Sequence, residues 1–224
     1  MLLAHDKMIH MCFSATASFA AASVLTLTGV VSMQRAWKTP MIWYAALPLL
    51  FGVQQAIEGV QWLLDKPSAA CSVAGYGFLF FALLFWPVYV PFSIYMMEKD
   101  KYRKAFLRFV TFMGLMGSLY LLVPYLTAPL SISAATNSIQ YNLAIPSVAY
   151  GLWFYVFVVS SGIWSSRRRV QLFAVVVALG FFVAQAAYIH ALTSVWCFFA
   201  ALSSLLVFLE VNYATQNRKI KRRV

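Results

Sequence analysis

Seven long apolar runs with basic residues at alternate ends leave this chain few ways to fold. The runs lie at about Phe13–Met33, Met41–Leu64, Tyr76–Met97, Phe109–Leu126, Ser147–Trp164, Val170–Ile189 and Ala191–Val211. Each approaches or exceeds the roughly 18 residues that cross a bilayer core. In lipid every backbone N–H and C=O needs a partner within its own segment, so each run is expected as a helix. The expected fold class is all-α, a polytopic membrane protein of seven transmembrane helices.

Of the 17 Lys and Arg residues, all but Lys7 and Lys66 lie in the first, third and fifth gaps and in the tail. Arg35 and Lys38 fill the first gap; Lys99, Lys101, Arg103, Lys104 and Arg108 fill the third. Arg167, Arg168 and Arg169 form the fifth, and Arg218, Lys219, Lys221, Arg222 and Arg223 the tail. The positive-inside rule then puts the N-terminus outside and the C-terminus in the cytoplasm of a bacterial inner membrane. Only 10% of the residues are charged and 62% are hydrophobic, against about 25% charged in soluble domains. The net charge of +11 therefore reads as topology and anionic headgroup contact at the cytoplasmic face, not as a nucleic-acid surface.

The small residues Ser14-Ala15-Thr16-Ala17 precede the first apolar core instead of following it, so a cleaved signal peptide is not expected. Residues 1–11 read as an N-terminal extension with Met11 as an alternative start, 12–213 as the membrane domain and 214–224 as a basic cytoplasmic tail. Initiation at Met11 and its removal would make Cys12 the N-terminal residue, joining a thiol and an amine. Pro48, Pro87, Pro91 and Pro124 mark helix bends. The outer segment from Thr127 to Pro146 carries no charge and is too polar to span; it reads as a connector or a lid.

Two carboxylates fall inside the runs. Glu210 sits at the cytoplasmic end of the seventh, where its side chain is expected to reach water. Glu58 lies about 9 Å below the outer end of the second run at 1.5 Å rise per residue. At 100° per residue, Gln54, Gln55, Glu58, Gln61 and Trp62 share an arc of roughly 120°. A face of amides and an acid is costly against lipid, so it should turn into the bundle. Ser14, Gln185, Tyr188, His190 and Trp196 share its outer level. If the first, second, sixth and seventh helices adjoin, these groups line one outward-facing polar pocket.

All three cysteines, Cys12, Cys71 and Cys197, fall on the outer side, which is oxidising in a bacterium; one disulfide has three pairings open to it. Cys12, His190 and Cys197 are metal-ligand candidates, and Cys12, Glu58 and His190 catalytic candidates. His5, Asp6 and His10 add ligands only if Met1 is the start. No nucleotide-binding loop occurs, and the seventh run has no lysine to hold retinal.

Met11-Cys12-Phe13-Ser14-Ala15-Thr16-Ala17-Ser18-Phe19, followed by Phe51-Gly52-Val53-Gln54-Gln55-Ala56-Ile57-Glu58-Gly59 and Trp62, resembles an uncharacterised family of bacterial integral membrane proteins, a domain of unknown function. The resemblance covers most of the chain. It implies a seven-helix inner-membrane protein and no activity. The leading expectation is a pocket that binds or transports a small solute or lipid headgroup. The alternatives are a membrane-embedded enzyme, such as a metal-dependent hydrolase using Cys12, Glu58 and His190, and a sensor or structural subunit of a membrane complex.

Overall fold

Ser14 opens the first helix: its hydroxyl accepts a hydrogen bond from the Ala17 N–H at 3.2 Å, satisfying one of the donors that a helix start leaves without a partner. The computed structural model describes residues 14–135, 138–145 and 148–221. The proposed start at Met11, together with Cys12, lies outside them.

The described residues form seven helices and one β-hairpin. Helix α1 is Ala15–Ala36, and α2 is Leu47–Leu63, preceded by a single turn at Ile42–Ala45. Helix α3 runs Ala69–Met97 and α4 Lys101–Thr127. Strands β1 (Leu130–Ala135) and β2 (Ser138–Leu143) follow, then α5 (Val148–Val159) and α6 (Arg168–Ala187). Helix α7 consists of Leu192–Ser203 and Leu205–Lys221, joined through Ser204. It continues as helix beyond residue 213, where sequence reading begins a tail. Five helices are long and apolar enough to cross a membrane: α1, α3, α4, α6 and α7. The α2 segment has 17 residues and α5 has 12, so neither reaches that length as one uninterrupted helix.

Small residues bring α1 and α2 together. A Cβ on Gly52 would stand 2.7 Å from the Thr26 hydroxyl and 3.1 Å from the Ala22 carbonyl. A larger residue there would push the helices apart. Helix α4 buries a single seam, Leu107, Val110, Gly114 and Ser118, at the three- and four-residue spacing of one helix face. Its other flank exposes Phe109, Phe112, Leu119 and Val123, an apolar surface suited to lipid. Gly114 lies against the backbone carbonyl of Pro87. That carbonyl has no N–H partner four residues on, because position 91 is also proline.

Helix α3 widens to a π-helix over Phe80–Phe85. There the Trp86 N–H bonds to the Phe81 carbonyl, five residues back. The next residue in that register, Pro87, has no N–H to give Ala82. The Tyr155 hydroxyl donates to the Ala82 carbonyl instead. The wide turn thus sits where proline already breaks the α-helical ladder.

The chain from Thr127 onward was legible as polar, but the structure folds it into an antiparallel hairpin, pairing Leu130 with Leu143 through to Ala135 with Ser138. Leu130 and Ile132 pack at Gly75 of α3, Ile139 is fully buried, and Tyr141 stacks on Phe78 with ring centroids 4.7 Å apart.

The opposite end collects the basic gaps. Arg35 donates to the Asn212 side chain at 2.7 Å. Arg103 donates to the Trp164 and Ser165 carbonyls at 3.1 and 3.0 Å. Glu210 does not reach out to water as expected: it is buried, with Arg167 at 2.7 Å and Arg169 at 3.7 Å. The turn before α6 supplies Arg167 and the first turn of α6 supplies Arg169 to neutralise it. Glu98, at the end of α3, is also buried and takes hydrogen bonds from five donors of two loops.

Candidate functional site

The amide-and-acid stripe of α2 turns into the bundle, as its cost in lipid requires. Gln54, Gln55, Glu58 and Gln61 are all buried, and Trp62 is half-buried beneath the Lys66 ammonium, 6.0 Å from its ring. Helix α7 packs on α1, α2 and α6 and supplies two of the stripe's partners, Ser194 and Cys197. The Ser194 hydroxyl donates to the Glu58 carboxyl, and the Gln55 amide donates to its other oxygen at 3.4 Å. The Gln54 amide faces the Cys197 sulfur at 3.6 Å and the Phe78 carbonyl at 3.5 Å, while its oxygen accepts from the Trp86 indole at 2.8 Å. Gln61 donates to the Cys71 carbonyl at 3.3 Å and accepts from the Tyr141 hydroxyl at 3.0 Å. The Gln55 side-chain oxygen is buried without a hydrogen-bond partner. No Lys, Arg or His among the described residues forms an ion pair with Glu58.

The remaining predicted residues scatter around this network. Ser14 caps α1. Gln185 is half-buried near the end of α6 and Tyr188 ends that helix. Trp196 is buried, its indole donating to the Val177 carbonyl at 3.0 Å. Cys71 and Cys197 are free buried thiols, so the structure forms no bridge between them; pairing with Cys12 lies outside the described residues. No group of three or more His, Cys, Asp and Glu among the described residues stands close enough to hold a metal ion.

His190 and Glu58 line no common cavity. His190 is exposed and lines a cavity of about 370 Å³ between the π-helical part of α3, α4, β2, α5 and the turn before α7. Glu58 lines neither this cavity nor the smaller one described below. The cavity is within the size range of small-molecule pockets. Leu83, Pro87, Leu121, Ile139, Leu152 and Leu192 make its apolar wall; Tyr141, Asn142, His190 and Thr193 carry its polar groups. On the α4–α5 side it is bordered by Tyr120 and Phe154, which are 57% and 38% exposed on the outside of the bundle. Sequence reading found His190 but not this wall, because the hairpin segment read only as a connector or a lid and the α5 face is apolar.

Tyr141 joins the two centres. One side of it borders the cavity, while its hydroxyl holds Gln61 and its ring covers Phe78. Replacing Tyr141 by Phe keeps the stack but leaves the Gln61 oxygen without its donor, at a cost of about 1 kcal/mol. Hydrogen exchange should then be faster in β1 and β2 and unchanged in α1. Unchanged exchange in the hairpin would show that the bond does not hold it.

Residues 11–222 match the model of a family of unknown function (DUF6629). No curated protein matches the chain, and no solved structure does.

Proposed function

For a chain that belongs to this family of unknown function, we propose a seven-span protein of the bacterial inner membrane that takes a small amphiphile into the His190 cavity. The observation that carries this is the division of the cavity itself. Its walls are apolar, its polar groups include the exposed pair Asn142 and His190, and it borders the outer surface of the bundle between α4 and α5. A water-soluble polar solute would find few partners along such walls, whereas a lipid-like molecule would bury its apolar body and leave its headgroup at His190. His190 makes no hydrogen bond with the described residues, so its ring nitrogens are available to a headgroup.

The topology in this reading has the N-terminus outside and the C-terminus in the cytoplasm. It is supported by the contacts among Arg35, Glu98, Arg103, Arg167 and Glu210, which gather the basic gaps at one end of the bundle. The hairpin and His190 then face outward. Alkaline phosphatase fused after Lys66 should be active and fused after Arg168 inactive; the reverse pattern would invert the topology.

Binding is tested with a diazirine-bearing palmitate on protein in phosphatidylcholine nanodiscs, followed by peptide mapping. Adducts are expected at Leu83–Pro87, Leu152 and Leu192, and free palmitate should compete for them. Leu152→Trp, which fills the cavity, should reduce them at least tenfold. His190→Ala should weaken competition about fivefold, the worth of one hydrogen bond. Adducts confined to lipid-facing residues such as Leu27 and Leu179 would overturn the proposal.

A further inference from the structure

We infer that the amphiphile is a single unbranched chain whose far end passes Tyr155 into a second void at the centre of the bundle. This rests on the reading of the His190 cavity above and names the class of molecule it takes. The second void measures about 30 Å³ and is walled by α2, α3, α5, α6 and α7, with Phe51, Trp86, Val177, Trp196 and Ala200 around it. No charged side chain lines it, and a void of this character stays dry and leaves its lining short of dispersion contacts.

Tyr155 lines both spaces. Its ring is the shared wall, held edge-on to Trp196 with centroids 5.3 Å apart. Its hydroxyl is tied to the Ala82 carbonyl, the acceptor that the π-helical register and Pro87 leave without a backbone donor. A phenol held by one neutral hydrogen bond is a light barrier. Breaking that bond costs about 1 kcal/mol or more, and the dispersion contacts that the tail gives a lining otherwise short of them offset it. The route past the ring admits a flexible chain and excludes a fused-ring or branched body. The exposed polar side chains Asn142 and His190 belong to the first cavity, so the headgroup stays there while the tail extends inward.

The test measures how well laurate and palmitate displace the diazirine probe from its cavity adducts. Ala200→Leu puts a branched side chain into the second void from α7, and Val177→Phe fills it from α6. Both are expected to weaken palmitate about tenfold while leaving laurate within twofold. Tyr155→Phe removes the tie and keeps the ring, and should strengthen palmitate several-fold over laurate. Retained laurate displacement shows that the mouth is folded in each variant. If both acids displace the probe from wild-type protein but their ratio is the same in both void-filling variants, the extension past Tyr155 is wrong and the amphiphile reading stands. If neither acid displaces it from wild-type protein, both readings fall.

Discussion

Glu98→Ala should lower the stability of the protein by about 3 kcal/mol, because it strips a buried acceptor from a set of donors arranged around it. The Glu98 carboxyl accepts from the N–H groups of Lys99 at 2.8 Å, Asp100 at 3.1 Å and Ser166 at 2.7 Å. It also accepts from the hydroxyls of Ser165 at 3.1 Å and Ser166 at 2.6 Å. These donors belong to the turn between α3 and α4 and to the turn before α6, so one side chain ties two connections that are far apart in sequence. Burial alone would raise its pKa. The Ser166 side chain and the backbone N–H groups of Ser166, Asp100 and Lys99 outweigh burial and hold it down at about 2.

Its folded pKa is below the value of 4.5 for a free glutamate, so in the acid range the unfolded chain binds more protons. The stabilisation is therefore fully present above about pH 4.5 and is lost as pH falls toward 2. Thermal unfolding in detergent should show an acid-side drop in Tm for the wild type that is smaller in Glu98→Gln. An equal drop in both proteins would mean that other carboxylates set it.

Glu98 also shows where sequence reading stops. The alternation of charge was legible because it is a property of whole gaps, and the helix positions followed from apolar runs. Helix starts were less so. Helix α4 begins at Lys101, eight residues before the apolar run, since Asp100 caps it, accepting from the Arg103 N–H at 2.9 Å, and charged residues continue a helix well. Helix α3 starts at Ala69 behind the cap of Ser68, in a stretch of small residues that hydropathy scores weakly. The hairpin was hidden because its alternation is short and modest: Ile132, Ile139 and Tyr141 face inward between serines and amides. Glu98 falls just past an apolar run, and nothing local announces that Ser165 and Ser166 will fold back onto it.

The site was legible in part for the same reason. The stripe Gln54, Gln55, Glu58 and Gln61 is periodic, so its burial could be argued from one helix. Its partners could not. Ser194 and Cys197 come from α7, Trp86 and Phe78 from α3, and Tyr141 from the hairpin. The shared outer level of Glu58 and His190 did not put them in one pocket: His190 lines the larger cavity and Glu58 lines neither. The cavity went unread because it is made of ordinary apolar residues set apart by a widened turn of α3.

The second large effect is expected at Glu58. Glu58→Leu removes the acceptor for Ser194 and for the Gln55 amide at once, at a buried position. Each stranded group costs roughly 1–3 kcal/mol, and the Gln55 side chain already carries one oxygen without a partner. A total loss of about 3 kcal/mol is expected, enough to reduce the folded yield severely in a marginally stable protein. Glu58→Gln should behave differently. Its amide keeps an oxygen for the Ser194 hydroxyl, and its NH₂ brings a donor where Gln55 has an unused acceptor, so the network can be rebuilt by turning one amide. The loss should then stay near or below 1 kcal/mol. Size-exclusion profiles and thermal unfolding of the two variants in one detergent decide this. With Glu58→Gln folded, the palmitate-probe adducts at Leu152 and Leu192 should persist, because Glu58 lines neither cavity. Their disappearance from a folded Glu58→Gln protein would tie the buried acid to the ligand and move the binding site toward α2. Equal destabilisation by Leu and Gln would instead show that the carboxylate itself, not a neutral hydrogen-bonding group, is what the interior of α2 and α7 is built around.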